Sequence, residues 1–374
     1  MSATATKIFI LGATGYIGGA ILSELLRTSA SFEITALVRK DQDAEVLEKL
    51  GVRTIKGSFS DVDKIEQASR EADVVYNAAD ADAMGLAKAV LKGLKSKEER
   101  GILIQTSGTG LLSDSYIGEL TPEGSRVWNV SDTLIDYRVR RTHIAIDEGL
   151  NITIIGLDDI KSIGPTQPHR DVDLEIFGAH EREEVDAYII APSCIYGTGD
   201  GPIKRISQQV PRLIQYVIRV ISFVTSAKRS WVLYRAALDF KQPVYVGKGT
   251  NLWNNVHISD LVHLYNLVLG LAFSVRSGEA PRPQTFANFY FGSVGEHAWG
   301  DIAKRLGPIL LKRGKVEKAE ARSIRADEVE DFAALMSNSR SVAERSRELG
   351  WTTVAKSLED TLEDDVDAVL ATLK

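Results

Sequence analysis

The chain reads as an α/β protein, a doubly wound parallel sheet followed by a smaller, mixed α/β lobe. Three observations predict this. Strand-like apolar runs alternate with helix-spaced stretches through the first 110 residues, the signature of right-handed crossovers in a parallel sheet. The first of these runs ends in a glycine-rich turn that leads straight into a helical pattern. Beyond residue 192 the alternation loosens into short strands mixed with helices. A length of 374 residues, 44% of them hydrophobic, suits one large or two unequal domains with a sizeable core. The expected division is 1–191 for the sheet domain and 192–374 for a lobe that sends some elements back to the sheet.

Taken in order, Ile8–Leu11 is a short apolar run, read as a buried strand. Ile17, Ile21, Leu22, Leu25 and Leu26 then follow helical spacing. Phe32–Val38, Val52–Lys56, Asp73–Asn77 and Gly101–Thr106 are the next strands, with helices over 41–50, 61–72 and 83–99 between them. A helix from Arg170 to Glu183 precedes a further strand at Val185–Ala191. In the second half, Val244–Val246, Val256–Ile258 and Asn288–Phe291 read as strands, and 259–272, 298–313 and 339–349 as helices. The last 35 residues are acidic and read as helix, their charge run as a solvated face.

The most informative stretch is 7–22. Gly12, Gly15 and Gly18 stand in a G-x-x-G-x-x-G frame at the strand-to-helix turn. Gly12 permits the tight turn, Gly15 lets the backbone approach a pyrophosphate, and Gly18 lets helix and strand pack closely. Main-chain N–H groups around Thr14, Tyr16 and Ile17 then face the phosphates, because the first turn of a helix has donors without intrahelical acceptors. The chain is expected to bind a dinucleotide.

Composition excludes other classes. A formal net charge of −6 and an isoelectric point near 5.7 give no electrostatic case for nucleic acid. One cysteine, Cys194, forbids an intramolecular disulfide and fits a reducing compartment. Residues 1–7 lack signal-peptide character, and the apolar stretch Leu213–Val224 is too short to span a bilayer. The expectation is a cytoplasmic protein acting on a small-molecule substrate, with neither nucleic acid nor membrane as partner and a homodimer left open. The six histidines show no metal-ligand spacing, so no metal is expected.

Several blocks together resemble the short-chain dehydrogenase/reductase superfamily, in its extended branch of NAD-dependent epimerases and dehydratases. They are the glycine turn, Asp73–Ala79, Ile104–Ser107, Ala191–Gly197, Val256–Val262 and Leu349–Trp351. The resemblance implies a Rossmann domain that binds NAD(P) and a C-terminal substrate lobe. Asn77, Ala78 and Ala79 would run under the adenosine half of the cofactor, and Pro192 and Ile195 would hold the nicotinamide. NADP is favoured over NAD by charge: the second strand ends Leu37-Val38-Arg39-Lys40 with no acid at its tip, and Arg39 can clamp a 2′-phosphate. Ser58 takes the place where relatives carry an adenine-contacting Asp, and Asp61 reads as a helix N-cap.

The catalytic pattern departs from the family's Tyr-x-x-x-Lys. That pair uses a Tyr hydroxyl as general acid/base with a cation to lower its pKa, and no such pair lies between strand five and Pro192. Two substitutes compete: Tyr137 with Arg141, and His169 with Arg170. The second is preferred, because counting back from Pro192 over the preceding helix lands there, and a histidine titrates near neutrality without help. Gly108 takes the position of the catalytic Ser, leaving Ser107 and Thr109 as neighbouring hydroxyls to orient a substrate oxygen. The His257/Asp260 block is read as structural.

Residues 130–156 and 216–235 interrupt the pattern and are read as insertions. They are either an added lid or oligomer contact, or retained non-coding sequence, Val130-Ser131 being one way a translated intron start reads. The leading expectation is an NADP-dependent oxidoreductase moving a hydride to or from a carbonyl or carbinol carbon of a small organic substrate. Two alternatives stand beside it: a nucleotide-sugar epimerase or dehydratase with tightly bound NAD, and a catalytically degenerate NADP-binding sensor or scaffold.

Overall fold

A computed structural model describes residues 5–28, 32–97, 99–115, 117–121, 126–129, 154–155, 157–211, 213–214, 242–328 and 336–372. Tyr137 and Arg141 fall outside them, as do residues 216–235 and all but the last part of 130–156.

The central sheet has seven parallel strands. In chain order these are β1 (Thr6–Leu11), β2 (Phe32–Val38), β3 (Arg53–Lys56), β4 (Val74–Asn77), β5 (Ile102–Thr106), and then β8 (Asp186–Pro192) and β12 (Phe289–Gly292). Their spatial order is β12-β8-β5-β4-β1-β2-β3. β1 is the pivot: Ile8 pairs Ile34 on one side and Val74 on the other, so the chain winds outward both ways from it. Both faces of the inner strands β4, β5 and β8 and most of β1 are covered, and these accordingly read as near-continuous apolar runs, whereas the edge strand β3 has no buried residue. Helices α1 (Tyr16–Arg27) and Ile258–Arg276 cover one face; α3 (Val62–Glu71), α4 (Met84–Lys95) and α6 (Arg170–Glu181) cover the other. The core between them includes Phe9, Ile10, Val75, Tyr76, Ile104, Tyr188, Ile190 and Tyr265, all essentially inaccessible to solvent.

The helix Ile258–Arg276 is, among the described residues, one long and apolar enough to cross a membrane, with a mean hydropathy of 1.5. Here that apolar surface packs on the sheet through Leu261, Leu264, Tyr265 and Val268.

A second core lies in the C-terminal half, around Trp253, Trp299, Leu306, Leu358, Leu362 and Val366. It is built on a three-stranded sheet of β9 (Cys194–Tyr196), β11 (Leu252–His257) and β13 (Gly295–Ala298), with β11 in the middle. β6 (Val127–Asn129) lies between β7 (Ile154–Ile155) and β15 (Ser341–Val342), so the last residues of the expected 130–156 insertion pair with the strand that precedes it.

Two expectations need correction here. Residues 339–349 are not one helix: β15 comes first, then a short helix, Glu344–Glu348. The polar run Ser337–Ser341 instead bonds β11, with Asn338 Oδ1 accepting from the Leu252 N–H and Asn254 Oδ1 from the Ser341 N–H. Such side-chain-to-backbone bonds outcompete helix formation. The C-terminal acidic segment is helical only from Leu358 to Thr372, and its face is not wholly solvated. Asp365 is buried there, its carboxyl raised by burial to about 7 against the opposing hydrogen bond from the Gly197 backbone.

Candidate functional site

The carboxyl ends of β1, β4, β5 and β8 open onto one edge of the sheet, at the switch point between β1 and β4 where such folds bind ligands. Gly12 ends β1 with φ +88°, a left-handed backbone that favours glycine. A Cβ there would stand 2.4 Å from the carbonyl oxygen of Ala78, at the end of β4. One on Gly18 would stand 2.3 Å from the carbonyl oxygen of Gly12. The Gly15 N–H closes the turn on Gly12 O at 2.8 Å, which leaves the first N–H groups of α1, at Tyr16 and Ile17, pointing out of the helix start. Thr14 is half-buried within the same turn. A backbone surface stripped of Cβ atoms at a helix N-terminus fits a diphosphate.

The Tyr16 side chain has a different job. Its buried hydroxyl bridges the carbonyls of Gly197 at 2.6 Å and Tyr196 at 3.0 Å, tying the glycine turn to the segment after β9. The Asn77 amide is likewise spent inside the protein, donating to Gln105 Oε1 at 2.9 Å, while its oxygen accepts the Ala79 N–H at 3.3 Å. Asn77 therefore shapes the Ala78–Ala79 bend rather than offering its amide to a ligand. At the tip of β2, the exposed Arg39 lies over the Phe59 ring, 5.6 Å from its centroid. Asp61 does occupy the N-cap position of α3, yet its carboxylate does not cap the helix. It accepts instead from the Ser58 N–H and hydroxyl.

The sequence candidates for catalysis separate in space. His169 caps the start of α6 in a left-handed conformation, φ +68°. Its Nδ1 lies 2.8 Å from Asp82 Oδ1, and its main-chain N–H donates to the same oxygen at 2.8 Å. The opposite edge of the ring meets the end of β5: a Cβ on Gly108 would stand 3.1 Å from Nε2, and one on Gly110 3.3 Å. The same Gly108 position is 4.0 Å from the carbonyl oxygen of Pro192, at the end of β8. Ile195, half-buried in β9, follows directly and pairs with Val256.

Arg170 does not join His169. Its fully buried guanidinium donates to the carbonyls of Ile160 at 2.7 Å and Ile163 at 3.2 Å, and burial lowers its pKa. It pins α5 (Leu157–Ser162) to α6, which corrects the expectation that it handles charge beside a substrate. Ser107 is also committed: its hydroxyl donates to Asp173 Oδ2 at 2.7 Å in the interior. Burial raises the Asp173 carboxyl to about 7, opposed by that hydroxyl and by Arg170. Thr109 is buried, with a hydroxyl that has no hydrogen-bond partner among the described residues, and its carbonyl accepts from Ser339. His257 caps its own helix through Ser259, and Asp260 binds the backbone at Val354 and Ala355. Among the described residues no cluster of His, Cys, Asp or Glu could hold a metal.

Two residues of this neighbourhood escaped sequence reasoning, Asp82 and Asp173. Asp173 follows His169 by four positions, and its N–H donates to the His169 carbonyl in the first turn of α6, so its nearness along the chain was legible. Asp82 lies in the loop after β4, 87 residues from His169, and carried no local signal. Beyond Gly110 a cavity of about 280 Å³ opens, lined by Leu111, Leu112, Trp128, Ile163, Gln167 and Asn338 among others. Of its lining, Gln167 stands two residues before His169 in the chain and Leu111 directly follows Gly110.

Residues 12–191 match the family model described as NAD(P)H-binding. An oxidase, ucsJ, of an Acremonium species is 28% identical over 373 residues, covering 96% of this chain and 95% of its own length. An uncharacterised protein of Saccharomyces cerevisiae is 24% identical over 309 residues, 81% of this chain and 80% of its own. Among solved structures, UDP-glucose 4-epimerase from Thermotoga maritima with UDP-glucose aligns with a TM-score of 0.61 at 14% identity, covering 99% of this chain and 100% of the other. dTDP-glucose 4,6-dehydratase from Bacillus anthracis, in complex with NAD, aligns at 0.59 and 14% identity, covering 97% and 96%.

Proposed function

We propose that the protein, whose residues 12–191 match the NAD(P)H-binding family model and whose fold is that of the extended short-chain dehydrogenases/reductases, is an NADP-dependent oxidoreductase acting on a small carbonyl or carbinol compound. One observation carries the reading. A cradle of Cβ-free backbone and a histidine ring meet at the same sheet edge, the first suited to a diphosphate and the second to a proton.

In this reading the amides of Tyr16 and Ile17 and the backbone of Gly12, Gly15 and Gly18 hold the diphosphate. The Ala78–Ala79 bend passes beneath the ribose, and Pro192 and Ile195 border the nicotinamide. Arg39 takes the 2′-phosphate, braced by Phe59, with no carboxylate at the end of β2 to repel it. When bound, the nicotinamide would exchange a hydride with the substrate carbon. His169 then handles the matching proton at the substrate oxygen, taking it from a carbinol or giving it to a carbonyl. The cavity beyond Gly110 would receive the rest of a compact substrate. The oxidase relative, similar over nearly its full length, supports net oxidation or reduction of the substrate over sugar epimerisation, which returns the hydride.

Calorimetric titration of the full chain with NADPH and NADH tests the cofactor, and NADPH consumption across a panel of carbonyl compounds tests the chemistry. Tight NADPH binding with turnover is expected. Absence of heat with either nucleotide defeats the proposal. Binding without turnover on any compound would favour a sensor.

A further inference from the structure

We propose, resting on the oxidoreductase reading above, that Asp82 is a positioning residue that sets the tautomer of His169 and so makes Nε2 the atom that exchanges the proton. Asp82 Oδ1 accepts from two groups of one residue, the His169 main-chain N–H and the ring Nδ1, each at 2.8 Å. A carboxylate oxygen only accepts, so Nδ1 carries the ring proton and the lone pair of the neutral imidazole lies on Nε2.

The ring is held from three directions. The left-handed backbone at His169 is one that a side chain ordinarily avoids, and the bond from its N–H to Asp82 holds it. The hydrogen bond at Nδ1 fixes the ring plane. Gly108 and Gly110 provide the floor under Nε2, where a methyl group would press on the nitrogen at 3.1 and 3.3 Å. Nε2 has no protein partner among the described residues, and it lies at the ends of β5 and β8, on the edge that carries the glycine turn. The side chain is about one-fifth exposed, so solvent or a ligand can reach it.

A purely structural contact between a loop carboxylate and a helix start would be indifferent to which ring nitrogen is left free. A general base is not, because only an unprotonated Nε2 can take a hydroxyl proton. Free imidazole rings in histidine favour the proton on Nε2, so Asp82 works against the intrinsic preference.

The test uses full-length protein labelled with ¹⁵N-histidine, without nucleotide or substrate, at a pH where the ring is neutral. His169→Gln identifies the His169 ring signals by their disappearance. Nδ1–H is expected in the parent protein, a majority of Nε2–H in Asp82→Ala, and retention of Nδ1–H in Asp82→Asn, whose amide oxygen still accepts. On any panel compound that turns over, Asp82→Ala should lower kcat at least tenfold with the NADPH Kd unchanged. A parent ring already protonated on Nε2 overturns the proposal, and this holds even if Asp82→Ala fails to fold. So does an Asp82→Ala ring that keeps Nδ1–H. Failure of NADPH to bind would remove the oxidoreductase reading and leave the tautomer result standing. The converse also holds.

Discussion

Replacing Gly18 by alanine adds one methyl group where the backbone leaves no room. Its carbon would lie 2.3 Å from Gly12 O and 2.6 Å from Gly12 C, whereas a relaxed carbon–oxygen contact is about 3.3 Å. The start of α1 must therefore retreat from the turn by about 1 Å. Alanine's better helix propensity returns only about 0.5–1 kcal/mol. Overpacking against atoms that cannot rotate away costs about 1–3 kcal/mol, so a net loss of stability of about 1–2 kcal/mol is expected. Binding should suffer more. Moving two first-turn amides by ~1 Å breaks two hydrogen bonds to a charged group, each worth about 1.5–3 kcal/mol, which weakens NADPH binding at least a hundredfold. Gly270→Ala is the control, since Gly270 lies exposed in a helix with nothing within 4 Å of an added Cβ. It should be neutral or slightly stabilising and leave binding unchanged. Calorimetry and denaturant melts on both variants read the two quantities. A Gly18→Ala protein that binds NADPH as tightly as its parent would refute the diphosphate cradle.

Arg39→Glu should reverse the preference between NADP and NAD in competitive titrations, and an unchanged ratio would remove the 2′-phosphate assignment. Tyr16→Phe strips two buried carbonyls of their donor and should cost about 1–2 kcal/mol in denaturant melts. NADPH affinity should fall only as far as the glycine turn loosens. Asp173 holds its proton in the folded state up to about pH 7 but loses it near 4 when unfolded, so folding binds a proton between those values. Its contribution is full below pH 4 and declines as pH rises to about 7, by an upper bound on the order of 4 kcal/mol. Asp173→Asn should flatten that slope in melts from pH 4 to 8 and be more stable than the parent at pH 8. An unaltered slope would show that Asp173 titrates normally.

How much of this was legible depends on the range of the contact involved. The glycine frame at 12, 15 and 18 announced the close-packed turn, because the requirement for missing Cβ atoms is written at a three-residue spacing within one short stretch. The parallel strands were equally readable, since burial on both faces demands unbroken apolar runs such as Ile8–Leu11 and Ile102–Ile104. His169 could be placed by counting back from Pro192, because a helix and the strand after it have a fixed length. Arg170, its neighbour, could not be judged the same way. The left-handed backbone at His169 separates the two side chains: the His169 ring stays at the sheet edge while Arg170, the first residue of α6, turns into the carbonyls of Ile160 and Ile163. Ser107 and Asn77 showed the right chemistry at the right strand ends, yet their partners, Asp173 and Gln105, are supplied by neighbouring elements.

The sequence by itself determined the winding of the sheet and the glycine turn at the start of α1, since both follow from local backbone freedom and the two-residue and 3.6-residue periods. Only the tertiary structure decided which polar groups face the crevice. It joined Asp82 to His169 across 87 residues and sent Arg170, Ser107 and the Tyr16 hydroxyl inward to satisfy buried partners. A buried polar group must find a complement wherever the fold brings one, and that pairing is a property of three-dimensional proximity that no spacing along the chain encodes.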